Sequence, residues 1–568
     1  MYAKQEALKE IVTALKKSIG KKFPVSLSSL STPPNSKFGD VAFGCFELAK
    51  GQKRNPAELA TELAAKIEPG KLFQKVIGVG PYVNFTFNEV VFADKVLKEV
   101  KRHKLNYGQS KLGAGKSVMV EYAQPNTHKE FHVGHVRNAL YGQTVVNIME
   151  KNGYKTIAAS YIGDIGAHVA KALWGLKKFH DGSVIPVADR EKKLGEIYTQ
   201  ATKFVADNPK AKEEIDEVQR ALEAHGEPWY SQWMETRQWS IDAFKKVFAE
   251  LLVTPDVYYF ESDVESDGKK IVNKLLTDGI AKKSEGAVIV DLEKEGLGVA
   301  LILKSDGSAL YATKDIPLAL LKEKDYHPDR QIIVVDVRQS LYFQQLFAIL
   351  RQMGFTKQLT HLAYDMVTLP DGAMSSRQGN IVTYESLRDT MIKSFAQETS
   401  VRHTDWTEKK IAETARQLAL GSIKFMMLRQ DPQSIITFDL MEAMSFDGFT
   451  GPYVLYAVAR IESLKNKTKV KAKIQADLLK QPEESALIKA VAEWPLIVEK
   501  LGASFQISAG LLWAFETAKL FAEYYGRVTI IDDADKGGTS ARLALLDAVE
   551  TAIVSALQLA GIEPVKEM

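Results

Sequence analysis

Pro125-Asn126-Thr127-His128-Lys129-Glu130-Phe131-His132-Val133-Gly134-His135 lies between two segments of different periodicity. Upstream, Ser117-Val118-Met119-Val120-Glu121-Tyr122 is a short, mostly apolar run that Pro125 ends, and it reads as a buried strand. Downstream of His135, Val136, Leu140, Val145 and Met149 fall in a helical pattern, and Asn152-Gly153 supplies a helix stop. Thr156 to Ser160 is a second short apolar run. Strand, loop, helix, strand is the grammar of a parallel sheet, so the expected fold class is α/β. Ligands in open sheets of this kind bind at the carboxyl ends of strands, where this loop lies. Glycine between the two histidines lets the backbone approach a bound group. A helix amino terminus offers free N–H donors and a positive dipole end, and imidazoles there can donate to phosphate oxygens. Taken alone, H-x-G-H also fits a chance tetrapeptide or a metal site; the strand before it and helix after it favour a nucleotide.

Outward from this centre, the 568 residues correspond to three or four domains at about 150 residues each. Residues 1–108 read as a small α+β unit: Leu8, Ile11, Val12 and Leu15 have helical spacing, a second helical pattern follows Pro56, Lys37-Phe38-Gly39-Asp40 reads as a turn, and Gly80-Pro81 as a turn entering a strand. The glycine-rich stretch Gly108 to Gly115 marks a boundary. Residues 109–400 then carry the parallel-sheet pattern, with a helical insertion over about 172–280, clearest to 255. Strand-like runs return at Ala287–Asp291, Gly298–Leu303 and Gln331–Val335, separated by helical stretches. From about 401 to 568 the pattern is that of a helical bundle, with no strong strand run before Val528–Ile531.

Hydrophobic residues at 45% and charged residues at 26% are ordinary for a globular chain. The 74 basic and 71 acidic side chains leave a net charge of +3, which neither demands nor excludes nucleic acid. The single cysteine, Cys45, excludes an internal disulfide framework and a multi-cysteine zinc site, and fits a reducing compartment. No signal-like or membrane-length apolar segment is present, so the expected location is cytoplasmic, with no membrane partner.

A second chemical signal is Asp371-Gly372-Ala373-Met374-Ser375-Ser376-Arg377-Gln378-Gly379-Asn380, after Pro370. Small hydroxyl residues, an arginine and glycines suit a loop that closes over phosphates; by itself it also reads as a solvated turn. In order and separation the two signals resemble the paired signatures of class I aminoacyl-tRNA synthetases, usually written HIGH and KMSKS. Within that class the surroundings resemble the arginine enzymes. Glu121-Tyr122-Ala123-Gln124-Pro125-Asn126, Lys304-Ser305-Asp306-Gly307 with Tyr311-Ala312-Thr313-Lys314-Asp315, and Val335-Asp336-Val337-Arg338-Gln339 with Phe343-Gln344-Gln345 are similar to their core blocks. Lys37 to Ala42 and Gly80 to Phe85 resemble their amino-terminal, tRNA-contacting domain. Gly451 to Arg460 and the ending Leu559 to Met568 resemble their anticodon-binding domain.

The resemblance implies a class I Rossmann-type catalytic domain, with a small α/β amino-terminal domain and an all-α carboxy-terminal bundle. It implies L-arginine, ATP with Mg2+, and arginine tRNA as substrates, two-step aminoacylation, no protein-held metal, and a monomer. By resemblance His132, Gly134, His135, Lys129, Met374, Ser375, Ser376 and Arg377 bind ATP, with His132, His135 and Lys129 catalytic. Glu121, Asn126, Tyr311, Asp315 and Gln339 bind arginine. A guanidinium with five fixed donors and a permanent charge calls for carboxylates and a surface to lie against, which Glu121, Asp315 and Tyr311 supply by type. As bland alternatives, Glu121 fits a solvated strand end and Asp315 a helix cap. Arg460, Tyr453 and Tyr456 fall in the segment that would face the anticodon, although that tyrosine spacing also fits a helix core.

Three departures stand out. Ala373 and Ser376 occupy both lysine positions of the second signature, and Lys129, three residues before His132, is the cation that would compensate. Tyr342 stands where relatives often have histidine and receives no role. Ala123-Gln124 stands where two serines are common. Other class I synthetases, small-molecule adenylyltransferases sharing H-x-G-H, and a catalytically silent tRNA-binding paralogue are the remaining readings. Cys45 alone argues against the cysteine enzyme, and the chain's length against the adenylyltransferases.

Overall fold

The computed structural model describes residues 1–20, 23–305, 310–370, 372–373 and 382–568. Its centre is a five-stranded sheet built from β1 (Ser117–Tyr122), β2 (Lys155–Ile162), β3 (Val257–Phe260), β4 (Arg330–Asp336) and β5 (Gln358–Tyr364). The spatial order is β5-β4-β1-β2-β3, and every neighbouring pair is parallel. The apolar run of β1 follows from its place, because a central parallel strand is covered on both faces; Val118 to Tyr122 are all buried. The chain builds outward from β1 to β3, then crosses back to lay β4 on the other side of β1. The carboxyl ends of β1 and β4 therefore meet at a topological switch point, where such sheets bind ligands.

Helix α1 (Val133–Lys151) follows β1 and is almost wholly buried. After β2 the chain leaves the sheet as α2 (Ala167–Phe179), α3 (Arg190–Asp207), α4 (Ala211–Glu223) and α5 (Trp229–Leu251). Within the span 172–280 expected to be helical, Val257–Phe260 returns as the edge strand β3, paired to Ala159–Ile162. Helix α6 (Glu261–Thr277) then leads to an antiparallel three-stranded sheet formed by Lys282–Ser284, Ala287–Asp291 and Val299–Leu303. Two of the expected strand runs thus lie together, joined by a single turn of 3-10 helix at Glu293–Glu295 rather than by a long helical stretch. Helix α7 (Ala312–Tyr326) precedes β4, and α8 (Ser340–Gln352) links β4 to β5.

Amino-terminal to this core, Leu30–Ser31, Val41–Gly44, Tyr82–Phe87 and Phe73–Val79 form an antiparallel sheet in that spatial order. The turn at residues 37–40 is fastened there: the Asp40 N–H donates to the Phe85 carbonyl at 2.7 Å, and Asp40 Oδ2 accepts the Phe87 N–H at 2.7 Å. Among the described residues the carboxy-terminal region holds five long helices, among them Glu408–Leu428, Gly451–Asn466 and Lys536–Leu559. One expectation fails there. Val528–Ile531 is a loop after a helix end, its β-branched residues having no strand edge to join. Ile436–Thr437 forms a two-residue strand parallel to Val367–Leu369. One apolar core runs from the amino-terminal helix through β1 and α1 into the bundle. Among the described residues no helix is long and apolar enough to cross a membrane.

Candidate active site

The loop between β1 and α1 is pinned on both sides. Asn126 bridges to Gly163 just past β2, and the Thr127 N–H donates to the Gly163 carbonyl at 2.9 Å. A Cβ on Gly163 would lie 2.3 Å from Asn126 Oδ1, so a side chain here would force Asn126 to shift. Ala123 and His128 take left-handed backbone, at φ 52° and 62°. Tertiary bonds hold both: the Ala123 N–H donates to Asn138 Oδ1 at 2.6 Å, and the His128 N–H to Ser240 Oγ at 3.0 Å. The His128 ring lies between the hydroxyls of Thr127 and Thr236, and burial pushes its pKa down to about 3. His128 thus ties the loop to α5 as a neutral ring.

His132 caps α1. Its Nδ1 accepts the Gly134 N–H at 3.1 Å, and its own N–H donates to His135 Nδ1 at 3.3 Å. The two rings stack, with centroids 3.7 Å apart and planes 18° from parallel. Because each Nδ1 accepts, each proton is left on Nε2, where it can be donated outward. Burial, reinforced by the charge of Lys129, lowers the His132 pKa to about 4; burial and its charged neighbours also lower that of His135. Both rings are neutral donors at neutral pH, not cations. The charge is carried by Lys129, whose Nζ lies 5.5 Å from the centre of the Tyr198 ring.

The arginine-type residues gather on the neighbouring strand ends. Glu121 ends β1 with both oxygens engaged: Lys322 of α7 forms a buried ion pair with Oε2, and Gln124 Nε2 donates to Oε1 at 2.8 Å. Tyr311 and Asp315 stand at the start of α7, Tyr311 being 70% exposed. The Tyr342 hydroxyl donates to Asp315 Oδ2 at 2.5 Å. Burial raises the Asp315 pKa to about 7; the Tyr342 bond opposes the rise and the charge of Glu261 adds to it. Gln339 is exposed in the turn after β4. Met374, Ser375, Ser376 and Arg377, with Asp306 and Gly307, lie outside the described residues.

Several groups here escaped the sequence reading. Glu261 opens α6 at the end of β3 and binds Lys314 Nζ at 2.7 Å. The Tyr161 hydroxyl near the end of β2 is buried without a hydrogen-bond partner among the described residues, and that burial, with the charges of Asp315 and Glu261, opposes its ionisation. Arg137, two residues past His135, donates to the carbonyls of Asp365, Met366, Pro432 and Ser434 at 2.6–3.0 Å, tying α1 to the strand that enters the second signature. A strand-end tyrosine, and carboxylates placed just past strand ends, are the only sequence marks of these roles. Among the described residues no cluster of three His, Cys, Asp or Glu side chains could hold a metal ion.

Three family models match the chain in order: an arginyl-tRNA synthetase N-terminal domain over residues 5–87, a class I (R) tRNA synthetase catalytic domain over 96–439, and a DALR anticodon-binding domain over 454–568. The arginine–tRNA ligase of Bdellovibrio bacteriovorus is 36% identical, with all of both chains covered. That of Levilactobacillus brevis is 34% identical, covering 95% of this chain and 96% of its own. The arginyl-tRNA synthetase of Thermus thermophilus shares the fold at a TM-score of 0.81 and 23% identity, covering 99% of this chain and 100% of its own. With relatives matched along its whole length and a nucleotide-type loop at the switch point of its sheet, the chain belongs to the arginyl-tRNA synthetase family of class I aminoacyl-tRNA synthetases.

Proposed function

We propose that this chain activates L-arginine with ATP and transfers it to the terminal ribose of arginine tRNA, releasing AMP and pyrophosphate. The observation that carries the reading is the meeting, on one edge of one sheet, of an anion-receiving wall and a carboxylate wall. The first is formed by Lys129, His132, Gly134 and His135 at the start of α1. The second is formed by Asp315, Glu261 and Tyr311 at the starts of α7 and α6. A nucleoside triphosphate suits the first, and a guanidinium the second.

In the first step an oxygen of the arginine carboxylate attacks the α-phosphorus, and the bond to the pyrophosphate oxygen breaks. The Nε2–H groups of His132 and His135 donate to phosphate oxygens as charge builds on them, and Lys129 neutralises the departing pyrophosphate. Asp315 and Glu261 receive the guanidinium, with Tyr311 along its stem. Asn126, Gln339 and the remaining acceptor positions of Glu121 meet the substrate's other polar groups. Magnesium brought with ATP would add positive charge against the phosphates. In the second step a terminal ribose hydroxyl attacks the activated carbonyl and AMP leaves. Met374, Ser375, Ser376 and Arg377 of the second signature, by resemblance, also contact ATP.

The working division is 1–108 for contact with tRNA, 109–400 for catalysis and 401–568 for the anticodon, in a cytoplasmic monomer. In the last segment Arg460 lies over the rings of Tyr456 and Tyr525, while the half-buried Tyr453 packs against Phe515. The test is ATP–pyrophosphate exchange with each amino acid, with and without tRNA. Exchange that requires arginine supports the reading, and exchange driven by another amino acid overturns it.

A further inference from the structure

Lys129 does not stand alone. Its Nζ lies 5.5 Å from the centre of the Tyr198 ring, and Nζ of Lys171 lies 5.6 Å from the same centre. Lys129 precedes α1, Lys171 lies on α2 and Tyr198 on α3, so three separate elements bring two ammonium groups to one phenol. Neither ammonium has a carboxylate within 4.0 Å among the described residues, whereas nearby Lys314 is neutralised by Glu261. Burial lowers the pKa of both lysines, and the charge of Lys171 lowers that of Lys129 further. One turn before Lys171 on the same face of α2, the buried Nε2 of His168 has no partner among the described residues, and the charge of Lys129 acts on that ring too. Two like charges gathered on one ring repel, and an anion between them removes the repulsion. The amino end of α1, which opens beside Lys129, favours the same anion.

We propose that Lys171 is a second ammonium for the phosphates of ATP, held with Lys129 by the Tyr198 ring, and that the pair supplies the charge that Ser376 removes from the second signature. The proposal rests on the ATP site described above. As the bond from the α-phosphorus to pyrophosphate breaks, the negative charge gathering on the leaving group is met by both ammonium groups. No proton needs to move. Tyr198 is a positioning residue, acting through the two lysines.

The test uses the full chain with arginine, tRNA and magnesium–ATP, in tRNA-dependent ATP–pyrophosphate exchange. Lys171→Met is expected to raise KM for ATP roughly tenfold, the scale of one charge-assisted contact. KM for arginine and for tRNA should stay within about twofold, and the melting temperature should be unchanged. Lys171→Arg restores ATP binding. Tyr198→Leu reproduces the rise and Tyr198→Phe, which keeps the ring face, does not. Should Lys171→Met fail to fold, the contrast between Tyr198→Leu and Tyr198→Phe decides. An unchanged KM for ATP in Lys171→Met overturns the proposal, as does a rise confined to KM for tRNA, which would place the ammonium on a tRNA phosphate. A parent chain that activates no amino acid fails the underlying reading instead. A parent chain active with arginine, beside an unaltered Lys171→Met, fails only this proposal.

Discussion

The Tyr342 hydroxyl donates a 2.5 Å hydrogen bond to Oδ2 of Asp315, in the wall assigned to the guanidinium. Burial raises this carboxyl to about 7, and the Tyr342 bond restrains the rise by stabilising the charged form. A protonated carboxyl no longer attracts a guanidinium. As pH falls through about 7 the free enzyme loses this charge, so kcat/KM for arginine should fall on the acid side. Tyr342→Phe removes the restraint and should move that limb upward by roughly half a unit to one unit. A pH series of kcat/KM for arginine checks this, and a limb unmoved in Tyr342→Phe would separate Tyr342 from Asp315.

In the proposed ATP wall Lys129 carries the formal charge, because His132 and His135 are neutral. Lys129→Ala should slow arginine activation by about 10²-fold, the usual scale for one preorganised charge-stabilising group. Lys129→Arg should lose much less. Single-turnover adenylate formation measures both, and normal activation by Lys129→Ala would remove the compensating role.

Lys322 and Glu121 form an ion pair whose side chains are only 2% and 7% exposed. Lys322→Met leaves the carboxylate buried with only Gln124, and should cost about 3–5 kcal/mol of folding stability. The double variant Glu121→Gln with Lys322→Met should regain part of the loss, because no buried charge is stranded. Urea unfolding of the three proteins tests this; equal stability for parent and single variant would mean the pair contributes nothing.

Arg137 reaches five carbonyls around the approach to the second signature, that of Asp431 the most distant at 3.4 Å. Arg137→Lys cannot span them with one ammonium and should strand several acceptors, destabilising the protein by about 2–4 kcal/mol. KM for ATP should rise with it, because the strand Val367–Leu369 loses its anchor to α1. A thermal melt beside ATP kinetics separates the two effects, and an unchanged melt would contradict the anchoring role.

The unit from β1 to β2 is legible in sequence because its strands are short apolar runs and its helix keeps one period. The edge strand β3 is not legible: four residues follow the long charged pattern of the insertion, and nothing local distinguishes Val257–Phe260 from a helix exit. Val528–Ile531 misleads in the opposite direction, since β-branched residues favour a strand only where an edge is free to pair. The ATP-type loop announces itself by contiguous residues. Lys322 and Arg137 do not, for their partners lie 201 and up to 297 positions away. Burial turns such residues from ordinary surface types into structural ones, and burial is a property of the assembled fold.

The most direct test is attachment of radiolabelled amino acids to total tRNA with ATP and magnesium, trying arginine and each of the others in turn. Charging with arginine alone, abolished when tRNA or ATP is omitted, is the predicted result. Charging with a different amino acid, or none by a folded chain that still binds tRNA, would contradict it.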